Sequence, residues 1–180
     1  MILRFLIIVL FCLNVSSDKE KTISWKASKK LTWEDFQGPV DSGSDAVAVT
    51  ASGITFSFSV KERENVVLSF EADVSAHFYP KKSWYVKEKG DDHILAHEQL
   101  HFDITELHVR MLRYEISKLK VSNRIKSELR ALHERANINL AQMQYDYDTQ
   151  SENSIHKEQQ AKWKAFVSAE LQKFRAYRSQ

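Results

Sequence analysis

The chain has a single cysteine, two prolines and four glycines in 180 residues. The cysteine, Cys12, sits in the first stretch of the chain. A mature chain without that stretch has no thiol, which excludes a disulfide framework, a thiolate metal ligand and a cysteine nucleophile. Any metal must then be held by nitrogen and oxygen donors. An excess of one charge is also missing: 26 basic residues face 24 acidic ones. That balance gives no electrostatic footprint for a nucleic-acid partner. Long hydrophobic runs are absent too. The apolar stretch "FLIIVLFCL", Phe5 to Leu13, falls short of the ~20 residues of a membrane-spanning helix.

That stretch has another use. It follows a short positive start, Met1 to Arg4, and precedes the small residues Val15-Ser16-Ser17 and the charged Asp18-Lys19-Glu20-Lys21. This is the layout of a secretory signal. Residues 1–17 are expected to be a signal peptide and residues 18–180 a single domain, secreted and with no stable membrane span. Lipidation at Cys12 is the lesser alternative, because Val9-Leu10-Phe11 lacks the small residue such sites prefer.

What is present divides the mature chain in two. Up to Gly90 the pattern is strand-like. In "AVAVTASGITFSFSV", Ile54, Phe56, Phe58 and Val60 share one face, and in "NVVLSFEADVSAHFY" so do Val66, Leu68, Phe70, Ala72 and Val74. The charged "KERE" between them reads as a hairpin connection. After Gly90 there is neither glycine nor proline, and the period becomes helical. A first helix, capped by Asp91 or Asp92, carries Leu100, Ile104, Leu107, Leu112, Ile116 and Leu119. A second starts at Ser122 or Asn123 and runs through Leu140 and Met143. The polar "YDYDTQSEN", Tyr145 to Asn153, reads as a loop, and a third helix follows from about Ser154. The fold expected is α+β: an antiparallel sheet over 18–90, then three long helices over 91–180. The aromatic stripe of the third helix (Trp163, Phe166, Phe174) reads as core.

The chemistry concentrates between Asp91 and His108, which holds four of the seven histidines. His97-Glu98-Gln99-Leu100-His101 is the H-E-x-x-H arrangement of zinc hydrolases. In a helix, residues four apart lie about 40° apart around the axis and about 6 Å apart along it. Two imidazoles at that spacing can therefore grip one zinc ion, while Glu98 projects beside them as a general base for water. His93 fits a first-turn or supporting role, since a straight helix cannot bring three such rings to one ion. His108 lies about 10 Å beyond His101 along the axis and reads as an ordinary helix residue. His77 reads as the end of a strand.

A hydrolytic site needs a third protein ligand. If the first two helices form a hairpin turning near Lys120, His97 comes beside Met143 and His101 beside Asn139, so the following loop reaches the metal. The candidates there are Asp146, Asp148, Glu152 and His156. Tyr145 or Tyr147 can supply a hydrogen bond to substrate or to a developing oxyanion.

Assembled in order, "LTWEDFQG", "AVTASGITF", "SWYVK", "HEQLHFDITELH" and "YDTQSENSIHKEQQAKW" resemble the bacterial family known as domain of unknown function 922. Its members are commonly described as secreted zinc-dependent proteases. The resemblance implies a zincin-like hydrolase, here secreted or periplasmic. In the family pattern a histidine falls where this chain has Asn153, with His156 three places later. The third ligand expected from the resemblance is His156 by a local shift; an oxygen donor or a weakened site are the alternatives. The function expected is a metallopeptidase acting on peptide or protein with one zinc ion. A secreted binding module with a structural or degenerate metal site is the other reading.

Overall fold

The computed structural model describes residues 21–179, so the expected signal peptide and Cys12 lie outside the described residues. Five strands precede three helices. They are β1 (Ile23–Ser24), β2 (Ala48–Val49), β3 (Ser52–Arg63), β4 (Val66–Phe78) and β5 (Trp84–Tyr85), then α1 (Asp92–Ser117), α2 (Ile125–Ser151) and α3 (Lys157–Lys173). The arrangement is α+β, as the two periodicities imply. β1, β4 and β3 form one antiparallel sheet in that order, and β2 pairs with β5 in a second. Among the described residues no helix is long and apolar enough to cross a membrane.

The long hairpin turns on Glu64 and Asn65, both at positive φ (52° and 63°). Two such residues make the tight turn whose twist matches the strands it joins. The turn thus falls slightly later than "KERE" suggests. From Phe70 to Phe78 the even-numbered residues of β4 face inward, as alternation predicts, with Val74, Ala76 and Phe78 buried. Nearer the turn the parity reverses. Lys61 pairs with Ser69 but Glu62 pairs with Val67, which leaves Leu68 as an extra residue. A bulge of this kind moves every later side chain to the other face. Val67 is consequently buried, while Val66 and Leu68, expected inward, are exposed.

α1 is the centre of the molecule. Asp91 caps it, accepting a hydrogen bond from the Ile94 amide at 2.8 Å. The sheet covers one side of α1 and the other two helices the rest, so residues 100–110 are buried with the single exception of Asp103, half-buried. Phe102 and Val109 join Val74, Ala76 and Phe78 under the sheet, while Leu100 and Ile104 join Leu140, Tyr147 and Val167 between the helices. Covering a helix all round obliges it to pair its polar residues internally. Glu106 does so with Arg110 at 2.8 Å, and Arg110 also donates to the Leu171 carbonyl.

Within residues 100–110 His108 is the exception, because its buried Nε2 has no partner. Burial drives its pKa down to about 4 from the ordinary 6.5. The unfolded chain takes up this proton near pH 6.5, whereas the folded chain refuses it until about pH 4. Stability is thus undiminished above pH 6.5 and is lost as the pH falls from 6.5 to 4, by roughly 3 kcal/mol in all. Urea unfolding at pH 7, 5 and 4 checks this. His108→Leu, which cannot charge, should lose markedly less stability over that range than the parent protein.

Candidate metal centre

Near its amino end, α1 presents His97, Glu98 and His101 toward α2, which runs past it as the second arm of a helical hairpin. The pairing is offset from the sequence arithmetic. His101 meets Gln144 rather than Asn139, and His97 meets Asp148 rather than Met143. The reason is the connection: residues 118–124 lie between the helices, and the symmetric point falls beyond Lys120. A second difference follows. Tyr145 to Ser151 is not a loop but the last two turns of α2, so Asp148 stands on a rigid element.

Three donor atoms converge. Oδ1 of Asp148 lies 3.1 Å from Nε2 of His97 and 2.8 Å from Nε2 of His101, and the two nitrogens are 3.2 Å apart. Among the described residues this is the one group whose donors gather tightly enough for an ion. Zinc bonded tetrahedrally at ~2.0–2.1 Å holds its donors about 3.3 Å apart, so the triangle needs little adjustment to fit one. Two nitrogens and one carboxylate oxygen, with no sulfur, are also the donor types that thiol-free composition allows. His101 is prepared for this role: its Nδ1 donates to Oε1 of Gln144, which leaves Nε2 as the free donor. Gln144 in turn donates to Thr105 Oγ1 at 3.3 Å, and Thr105 meets Ser52 Oγ at 2.7 Å. The ligand's orientation is thereby tied to the sheet.

The electrostatics follow from burial. His97 and His101 are buried, as is Glu98 at 4% exposure, while Asp148 is half-buried. Burial alone would lower the His101 pKa, yet its hydrogen bond with Asp148, aided by the charges of Glu98 and Asp148, leaves it raised. Burial would lift the Asp148 carboxyl, but the hydrogen bonds from His101 and His97 hold it well below the usual carboxylate range. Without an ion, the pocket therefore favours a proton on the His101 imidazole beside an ionised Asp148. A divalent cation answers the same need with more charge.

Glu98 is not one of the three donors. Its Oε2 is buried and unpaired, although such oxygens normally find a partner. Its backbone carbonyl accepts from Thr50 Oγ1 at 3.2 Å, which fastens α1 to the end of β2. Glu98, His97, His101, Gln144 and Asp148 all line one cleft of about 690 Å³. The chain segment from Ser44 to Thr50 lines the same cleft, as do Asn153, Ser154 and Ile155.

The remaining candidates are elsewhere. His156 does not reach the centre: it is exposed and caps α3, its Nδ1 accepting from the Gln159 amide. Glu152 ends α2 in an exposed left-handed conformation, and Asp146 is bonded to Gln142. The third member of the donor cluster is thus Asp148, one of the oxygen candidates. Tyr145 is 66% exposed and does not line the cleft. Tyr147 is fully buried behind the centre, its ring stacked on His97 at 4.5 Å and edge-on to His101 at 5.0 Å. Burial, then the charges of Glu98 and Asp148, push its hydroxyl pKa far up. Tyr147 fixes the imidazoles from behind, which replaces the substrate-facing role expected of it, and Trp163 backs it at 5.6 Å. Gln144 is the residue that motif and spacing do not single out. A signal for it exists, since Leu140, Gln144, Tyr147 and Ser151 continue one helical stripe through the stretch that reads as a loop.

The family model described as "Bacterial protein of unknown function (DUF922)" matches residues 32–157, which include every residue of this centre. No curated protein and no solved structure matches the chain.

Proposed function

The chain belongs to the DUF922 family, whose description assigns no activity, and we propose from its own residues that it is a zinc-dependent peptidase. The observation that carries this reading is the meeting, in one cleft, of a three-donor triangle with a buried carboxylate that has no other partner. His97, His101 and Asp148 would hold the ion. Zinc so bound supplies Lewis acidity, polarising a carbonyl and making water acidic enough to lose a proton near neutrality.

The protein does the rest. Glu98 takes the proton of the attacking water on its carboxylate and passes it to the departing nitrogen. Gln144 and the Tyr147 ring keep the two imidazoles in place through both transfers. β2 offers a track for the substrate. Val86 donates to the Val47 carbonyl at 2.8 Å, so alternation turns the amide and carbonyl of Ala48 to the opposite edge, which no other strand occupies among the described residues. An extended peptide laid along that edge gains backbone hydrogen bonds beside Glu98. The signal-like start supports a reaction outside the cytoplasm.

A non-catalytic module with a degenerate site draws its support from Asn153, which stands where the family pattern has histidine. Asp148 supplies the third donor without it, and this weighs toward the enzyme. The test is hydrolysis of an unfolded protein. Cleavage is expected with zinc, should stop when a chelator removes the ion, and should return on adding zinc back. Zinc binding without any hydrolysis over long incubation would favour the module.

A further inference from the structure

We infer that the cleft selects internal peptide bonds next to an aliphatic side chain, and that Ile155 forms the wall that reads that side chain. This rests on the zinc-peptidase reading and adds the substrate class. The first observation is a charge that is missing. The described residues lining the cleft include no lysine or arginine. Recognition of a phosphate or of a terminal carboxylate calls for such a cation, usually one that binds bidentately. A chain end bearing a carboxylate therefore finds no partner here except the ion itself, and Asp45 at the rim opposes it.

The second observation is what the walls do offer. Ala46, Val47, Ala48 and Val49 line it from β2 and the chain just before it, and Ile94 and Ile155 line it from α1 and from the segment between α2 and α3. Ile155 is 77% exposed, more than any other large apolar side chain among the described residues. It is also held there at a cost. The three residues before it, Glu152, Asn153 and Ser154, all have positive φ (50°, 49° and 79°), and none is glycine. Such a run persists only when its surroundings impose it. They do so here: His93 Nε2 donates to the Ser154 carbonyl at 2.7 Å, and Gln160 donates to the His93 carbonyl at 3.1 Å. α1 thus reaches forward, one turn before its first metal donor, to fix the segment that presents Ile155. An aliphatic side chain seated in the cleft against Ile155 covers apolar surface that otherwise stands in water.

The experiment is calorimetric titration of the purified, zinc-loaded protein with N-acetylglycine, N-acetylleucine and N-acetylglutamate hydroxamates. The hydroxamate binds the ion in all three, so only the side chain differs. The leucine compound is expected to bind about tenfold to a hundredfold tighter than the glycine one, the range that burying such a side chain gives, with the glutamate compound weakest. Ile155→Asp should bring the leucine and glycine compounds to within about twofold of each other. Equal binding of leucine and glycine by the parent protein, or a leucine advantage that survives Ile155→Asp, overturns the inference and leaves the zinc reading standing. Failure of all three compounds to bind defeats the zinc reading and this inference with it.

Discussion

Glu98→Gln is expected to abolish hydrolysis while leaving the zinc content unchanged. Glutamine keeps the length and shape of the side chain but cannot accept a proton, so the loss isolates the base. Removing a positioned general base costs about 10²–10⁴ in rate, a loss that initial rates resolve. Zinc should stay because the proposed donors are His97, His101 and Asp148, and Glu98 stands outside their triangle. Folding should also survive. The buried Oε2 has no hydrogen bond to lose, and replacing a carboxylate by a neutral amide there relieves the cost of a buried charge. Initial rates on an unfolded protein, beside elemental analysis of the same preparations, check both halves. Turnover within a few-fold of the parent would remove Glu98 from the mechanism. A simultaneous loss of zinc would make it a ligand instead.

Glu98 is legible in the sequence alone, whereas Asp148 is only one of several candidates there, and the difference has a physical cause. His97, Glu98 and His101 lie on one helix, so their mutual geometry is fixed by local backbone periodicity. Asp148 meets them across a helical hairpin, where position depends on how many residues the connection absorbs. An error of a few residues in the turning point displaces the whole pairing. The last two turns of α2 escape for a related reason. "YDYDTQS" is polar on its exposed side, and only Tyr147 and Ser151 are buried; with so thin an apolar stripe, composition argues for a loop and tertiary packing decides for a helix. Leu68 teaches the same about strands. Alternation locates the sheet and its inner face from Phe70 onward, but nothing local announces the bulge that reverses the face toward the turn.

The third ligand separates these two kinds of information, and a graded series of variants measures it. Asp148→Ala removes a donor atom and leaves two buried imidazoles without the carboxylate that compensates them. Loss of a supporting residue typically costs 10–100-fold in metal affinity, and loss of a donor exceeds that, so zinc affinity should fall by more than about a hundredfold. Gln144→Leu leaves all three donors but frees the His101 ring to turn, and should fall within about 10–100-fold. His156→Ala should leave the affinity unchanged, because His156 caps α3 at the surface and its imidazole is engaged with the Gln159 amide. Its expected effect is instead a small loss of stability, about 1 kcal/mol for a removed cap. Competition titration against a chromophoric zinc chelator gives the three affinities on one scale. If His156→Ala costs as much zinc as Asp148→Ala, the ion is held from the α3 side, and the triangle on α1 and α2 is not the metal centre.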